Sequence, residues 1–136
     1  MISRLPVLVQ PTRHSLKSIN TKCQPKELDR LQSIIGFTIK VSIFVLVHGS
    51  CHGGWCWRKL THLLCKSGHE VYTPTLTGLG ERSHLLTKDI GLDTHIKDIF
   101  QVMEYEDLNN VILVGHSYGG LVIRGVAEKI SIESNI

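Results

Sequence analysis

The chain has 136 residues, enough for one domain and not comfortably for two. With 42% hydrophobic and 20% charged residues it has the composition of an ordinary globular protein, which excludes a disordered, collagenous or low-complexity chain. Its net charge of +3 is unevenly placed: residues 1–26 carry five basic residues and no acid, while the remainder holds 10 basic against 12 acidic residues. The body of the protein therefore lacks the basic face of a nucleic-acid binder, and no nucleic-acid partner is expected.

Residues 1–38 differ from the rest. They contain Pro6, Pro11 and Pro25, several Ser and Thr, and no hydrophobic period, so a poorly structured N-terminal extension is expected over 1–38 and a structured domain over 39–136. The acid-free start has the composition of an organelle transit peptide, but no amphipathic stretch accompanies its charges. The longest unbroken apolar run, Ile43 to Val47, falls far short of the roughly 20 residues of a bilayer span, so no membrane partner is expected. The four cysteines, Cys23, Cys51, Cys56 and Cys65, form no Cys-x-x-Cys pair. They read as reduced, apolar packing residues and point to a cytoplasmic location.

From Thr38 the pattern sharpens. Val41 to Val47 is β-branched and apolar on both faces, as in a buried strand of a parallel sheet. It ends at His48-Gly49. Trp55 to Lys66 then carries Trp57, Leu60, Leu63 and Leu64 at helical spacing, and Gly68 stands where a helix end favours left-handed geometry. Glu70 to Thr73 is a second strand, stopped by Pro74. Thr75 to Gly91 is loop-like. Asp93 or Thr94 can cap a helix to about Asp107, with Ile96, Ile99, Phe100 and Met103 as its apolar stripe. After an Asn109-Asn110 turn, Val111 to Val114 is a third buried strand, and Gly119 to Ile130 a third helix, with Val122, Val126 and Ile130 four apart. Alternating strands and helices predict an α/β fold with a mostly parallel sheet covered by helices.

Two loops carry chemistry. Gly115-His116-Ser117-Tyr118-Gly119 fits the Gly-x-Ser-x-Gly nucleophile elbow, directly after a strand and before a helix. In so tight a turn the central residue is strained and exposes its side chain, while Gly115 and Gly119 let neighbouring backbones approach. The helix N-terminus places free N–H groups beside the Ser117 hydroxyl. Acyl transfer needs two N–H donors aimed at one oxyanion. The N–H of Tyr118 supplies one. The loop His48-Gly49-Ser50-Cys51-His52-Gly53-Gly54-Trp55 supplies the other, with Gly49 allowing the Ser50 N–H to turn inward. His48 and His52 have no carboxylate or thiol partner at ligand spacing, so no metal is expected, and the chemistry needs no cofactor.

These residues resemble the alpha/beta hydrolase superfamily, and within it the branch of plant methylesterases, hydroxynitrile lyases and bacterial esterases. Phe44 to Gly49, Gly53 to Trp57, Thr73 to Arg82 and Val114 to Gly120 match that branch in order. The resemblance spans about residues 40–130. It implies a three-layer fold, a serine hydrolase acting on a small-molecule carboxylic ester, Ser117 as nucleophile, and Ser50 and Tyr118 as oxyanion-hole residues. The lyase members carry Thr at the position of Gly49, which implies ester hydrolysis rather than cyanohydrin cleavage.

In this fold the nucleophile is followed by an acid and then a His. The 19 residues after Ser117 contain no His and no Asp, and Glu128 and Glu133 lie on or just past the following helix. The expectation is an N-terminal portion of the fold, truncated after the elbow helix, whose acid and base are absent. Its last strand would carry a naked apolar edge that invites self-association. The competing expectation is a non-catalytic binding or interaction protein that retains this half-fold. Neither His48, His52 nor His116 is expected to serve as a local base, His116 because its side chain should point into the sheet.

Overall fold

The computed structural model describes residues 21–23 and 40–133. Most of the extension expected over 1–38 lies outside them. Thr21–Cys23 (β1) is a short strand that the sequence pattern does not announce. The other strands are Ile43–Val47 (β2), Glu70–Thr73 (β3) and Val111–Gly115 (β4), and the helices are Arg58–Lys66 (α1), Leu92–Tyr105 (α2) and Tyr118–Glu133 (α3). Two short 3-10 turns, Gly54–Trp57 and Gly80–Leu85, lie in the loops.

The sheet order is β1-β3-β2-β4. β2 runs parallel to both β3 and β4, and β1 is antiparallel to β3. The expected mostly parallel α/β sheet is therefore present. Ile43 pairs with Val111 and Val47 with Gly115, so β2 and β4 end level with one another. The loops after them start side by side at the carboxyl end of the sheet, where open α/β folds place their crevices.

Side chains alternate between the two faces of each strand. Val45, Val47 and Tyr72 face one core with Leu76, Ile99, Val122 and Val126, all fully buried, and α2 and α3 pack on that side. Ile96, Met103, Val111, Leu113 and Ile130 extend this core at its margin. Leu46 and Val71, also fully buried, point to the opposite face.

Several boundaries and faces depart from the sequence reading. α2 starts at Leu92 with Gly91 as its N-cap, two to three residues earlier than an Asp93 or Thr94 cap allows. Thr94 instead sits inside the first turn and its hydroxyl accepts the Gly91 N–H at 3.5 Å. On α1 the apolar stripe is rotated: Leu63 is 60% exposed and Thr61 is buried in its place. β4 is only half-buried, with Ile112 43% exposed. Its sequence is apolar on both faces, but it lies at the sheet edge, where nothing among the described residues covers the Ile112 side. Gly68 does adopt the expected left-handed conformation, φ +84°, after α1. Cys51 and Cys56 are free thiols, whereas Cys65 is disulfide-bonded, so the reduced reading fails at that residue. The absence of a Cys-x-x-Cys pair carries no information on bridges of other spacing. No helix among the described residues is long and apolar enough to cross a membrane.

Candidate functional site

The turn from β4 to α3 is built by close approach. A Cβ on Gly119 would lie 2.3 Å from the Val47 carbonyl oxygen and 2.8 Å from that of His48. A Cβ on Gly115 would lie 2.5 Å from the Gly119 carbonyl oxygen. Neither position tolerates a side chain without moving backbone. Between them Ser117 has φ +52°, the left-handed region that a non-glycine residue rarely occupies, and its side chain is exposed. The Gly119 N–H donates to the His116 carbonyl at 2.9 Å and the Gly120 N–H to the Ser117 carbonyl at 2.8 Å. Those bonds close the turn. Tyr118 is the first residue of α3, where an N–H has no intrahelical acceptor.

The level ends of β2 and β4 bring the second loop against this turn. The His116 N–H donates to the Val47 carbonyl at 3.0 Å. A Cβ built on Gly49 would stand 3.5 Å from Ser117 Cβ and 3.2 Å from His116 Nδ1. Gly49 thus lies beside Ser117, and a side chain there would press on His116 while making an ordinary contact with Ser117. Ser50 is exposed, its hydroxyl 3.9 Å from Cys51 Sγ. Ser117, Tyr118, Gly49, Gly115 and Gly119 therefore converge, and Ser50 follows Gly49 in the same loop.

His48 anchors that loop. It is fully buried, its Nε2 accepts the Leu76 N–H at 3.0 Å, and its Nδ1 lies 2.7 Å from the Gly49 carbonyl oxygen. An amide N–H only donates and a carbonyl only accepts, so the proton sits on Nδ1. The Gly49 carbonyl also accepts the His52 N–H at 3.2 Å. That carbonyl and the Ser50 N–H belong to one planar trans peptide and point in opposite directions. Fixing the first therefore aims the second. Burial holds the His48 pKa below its ordinary value, opposed by the bond to Gly49 and by the Glu81 charge.

Behind the loop, the Gly54 N–H donates to the Thr75 hydroxyl at 2.7 Å, that hydroxyl to Glu81 at 2.6 Å, and Arg82 to the Thr75 carbonyl at 2.8 Å. A Cβ on Gly54 would overlap the Thr73 carbonyl. The Thr73 to Arg82 segment is thereby locked beneath Gly53 and Gly54.

His116 differs from expectation. It is exposed rather than turned into the sheet, with its ring edge-on to His52 at 6.2 Å and to Trp57 at 6.4 Å between centroids. Continuing the alternation of β4, it shares the face of Ile112 and Val114, which is open at this edge of the sheet. Two roles escaped the sequence reading: His48 as a strut, and the buried His95, bonded to Tyr118. Their partners lie 28 and 23 residues away, beyond any local spacing signal. Burial also raises the Tyr118 phenol pKa, which keeps its hydroxyl protonated. Among the described residues no side chain is hydrogen-bonded to the Ser117 hydroxyl, and no group of three or more His, Cys, Asp or Glu could hold a metal ion.

Comparison with known proteins bears on the family and the fold. A profile of the alpha/beta hydrolase family matches residues 44–134. A carbendazim hydrolyzing esterase of Nocardioides sp. (strain SG-4G) is 57% identical over 88 residues, which cover 65% of this chain and 36% of the relative. Methylesterase 8 of Arabidopsis thaliana is 40% identical over 87 residues, 63% of this chain and 32% of the relative. Among solved structures, an extracellular alpha/beta-hydrolase from a Paenibacillus species superposes with a TM-score of 0.60 at 33% identity, over 66% of this chain and 36% of that one. The chain spans about a third of the length of the relatives it matches.

Proposed function

Because the chain belongs to the alpha/beta hydrolase family, we propose that it carries the nucleophile-bearing part of a serine esterase site. Its relatives include esterases, which supports hydrolysis of a small-molecule ester in general. In this reading Ser117 Oγ attacks the ester carbonyl carbon, and the carbonyl electron pair moves onto oxygen. The N–H groups of Ser50 and Tyr118 stabilise that oxyanion. The Ser117 proton passes to a base on attack and from it to the alcohol that collapse expels, and water then releases the acid and restores the Ser117 hydroxyl. The observation that carries the reading is the exposed Ser117 at φ +52° between a strand end and a helix start.

A serine hydroxyl is a weak nucleophile at neutral pH without a base. The 19 residues after Ser117 hold no His and no Asp. His48 is committed to two backbone groups. In this reading the base and its orienting acid come from further polypeptide. What remains is the oxyanion hole and binding, which sustain a residual rate on their own.

Labelling with an alkyl fluorophosphonate, read by intact-protein mass spectrometry, tests this. The chain alone should label slowly and at Ser117 only, and Ser117→Ala should abolish the label. Supplying the remaining two thirds of the Nocardioides esterase as a separate polypeptide should raise the rate about 100-fold or more, the contribution of a general base. Equal labelling of Ser117→Ala would overturn the nucleophile. Fast labelling of the lone chain would overturn the external base.

A further inference from the structure

Behind the Ser117 turn lies a bonded pair that the esterase reading does not use. His95, in the first turn of α2, is 6% exposed. Its Nε2 is 2.9 Å from the Thr77 carbonyl oxygen and its Nδ1 is 2.7 Å from the Tyr118 hydroxyl. The carbonyl can only accept, so in the neutral imidazole Nε2 carries the proton and Nδ1 is the acceptor. The Tyr118 O–H therefore donates into His95. The two rings meet edge to face at 5.6 Å, which fixes their relative orientation as well.

Three residues on, Asp98 holds the same Thr77. The Thr77 N–H donates to one carboxylate oxygen at 2.7 Å and its hydroxyl to the other at 2.9 Å. α2 thus grips Thr77 at its N–H, its hydroxyl and its carbonyl, and His95 passes one bond on to the first residue of α3. The imidazole cannot rotate without losing Thr77, so its acceptor nitrogen is a fixed point.

A packing role alone would not call for this chemistry. An apolar residue would fill the space at position 95 without burying two polar nitrogens. The Ser117 turn, however, is held in a strained conformation, and such a conformation persists only where its surroundings over-determine it. Tyr118 follows directly, and its N–H must keep its direction while charge develops on the substrate. A hydroxyl tied to a fixed imidazole resists rotation of that residue.

We propose that His95 is a positioning residue, which acts through the Tyr118 hydroxyl to hold the Tyr118 N–H at the oxyanion position. The inference rests on the nucleophile reading of Ser117. His95 touches no reacting atom.

The test uses the full chain and the same fluorophosphonate, with the rate at saturating probe separated from the probe's apparent affinity. In that step Ser117 Oγ bonds to phosphorus, the P–F bond breaks, fluoride leaves with the bonding pair, and the hydroxyl proton passes to solvent. His95→Leu and Tyr118→Phe should each lower the saturating rate about three- to tenfold, the worth of one hydrogen bond, with affinity unchanged within about twofold. The double variant should be no slower than the slower single one, since both remove the same bond. His95→Gln, which keeps an acceptor and a donor on one planar group, should recover most of the rate. Tyr118→Phe preserves the ring packing, and near-ultraviolet circular dichroism checks that each variant is folded. Parent-like rates in His95→Leu, additive losses in the double variant, or no recovery in His95→Gln would overturn the positioning role. Absence of any Ser117-dependent labelling in the parent would instead overturn the nucleophile reading, and this inference with it.

Discussion

Ser117 occupies a backbone region that costs an L-residue roughly 1–2 kcal/mol, and the glycines around it show where that strain is accommodated. Gly119 and Gly120 are neighbours in the same helix start with opposite demands. A Cβ on Gly119 would penetrate the Val47 carbonyl, whereas nothing lies within 4 Å of a Cβ on Gly120. Gly119→Ala should therefore destabilise the fold by about 1–3 kcal/mol, as overpacking does. Gly120→Ala should stabilise it by up to about 1 kcal/mol, the ordinary helix preference for Ala. Urea denaturation of both variants checks this, and equal midpoints would mean that the start of α3 has room to move away from the end of β2. At this scale the glycine spacing around Ser117 was legible in the sequence, because a tight turn constrains residue type within five positions. His48 and His95 were not. Each is defined by a bond to a backbone or side-chain group more than 20 residues away, and an isolated His carries no local mark of such a partner.

Strands and helices followed their apolar periods well in type and less well in face. β3 runs from Glu70 to Thr73, as its β-branched run ended by proline indicates. α1 shows the limit: a period of four apolar residues identified a helix, but not that Thr61 faces inward while Leu63 faces out. β4 shows another. Its run of Val, Ile and Leu is that of a strand covered on both faces, yet β2 is its sole partner among the described strands and Ile112 is 43% exposed. An apolar strand at an open edge offers unpaired backbone donors and acceptors to another chain. We expect concentration-dependent self-association of this chain in sedimentation velocity. Ile112→Lys, which places a charge on the exposed face of the edge strand, should shift the distribution toward monomer without lowering the urea midpoint. A purely monomeric parent over the accessible concentration range would argue that the edge is shielded.

Over the whole molecule, the site depends on two loops that are set side by side by the parallel register of β2 and β4, and each is tied by buried polar bonds to the loop after β3. His48 is one of these ties: it connects the loop after β2 to Leu76 in the loop after β3, and both of its ring nitrogens are engaged. Its acceptor nitrogen cannot keep the Leu76 N–H if it gains a proton, so the folded state binds that proton less readily than the unfolded chain does. Burial acts in the same direction and outweighs the opposing pull of the Gly49 carbonyl and the Glu81 carboxylate. Between the depressed folded value and the ordinary 6.5, the unfolded chain carries the proton and the folded one does not. Stability therefore rises with pH across that window and is lost progressively as pH falls below 6.5. Urea midpoints measured from neutral to mildly acidic pH should decline accordingly. His48→Gln retains a donor and an acceptor but does not titrate. It should be less stable at neutral pH, because the amide fits the imidazole's two bonds imperfectly, and it should show a shallower decline on acidification. If the acid-side slope of His48→Gln equals that of the parent, the proton responsible lies on another group, and the tie from the β2 loop to the β3 loop does not depend on the charge state of His48.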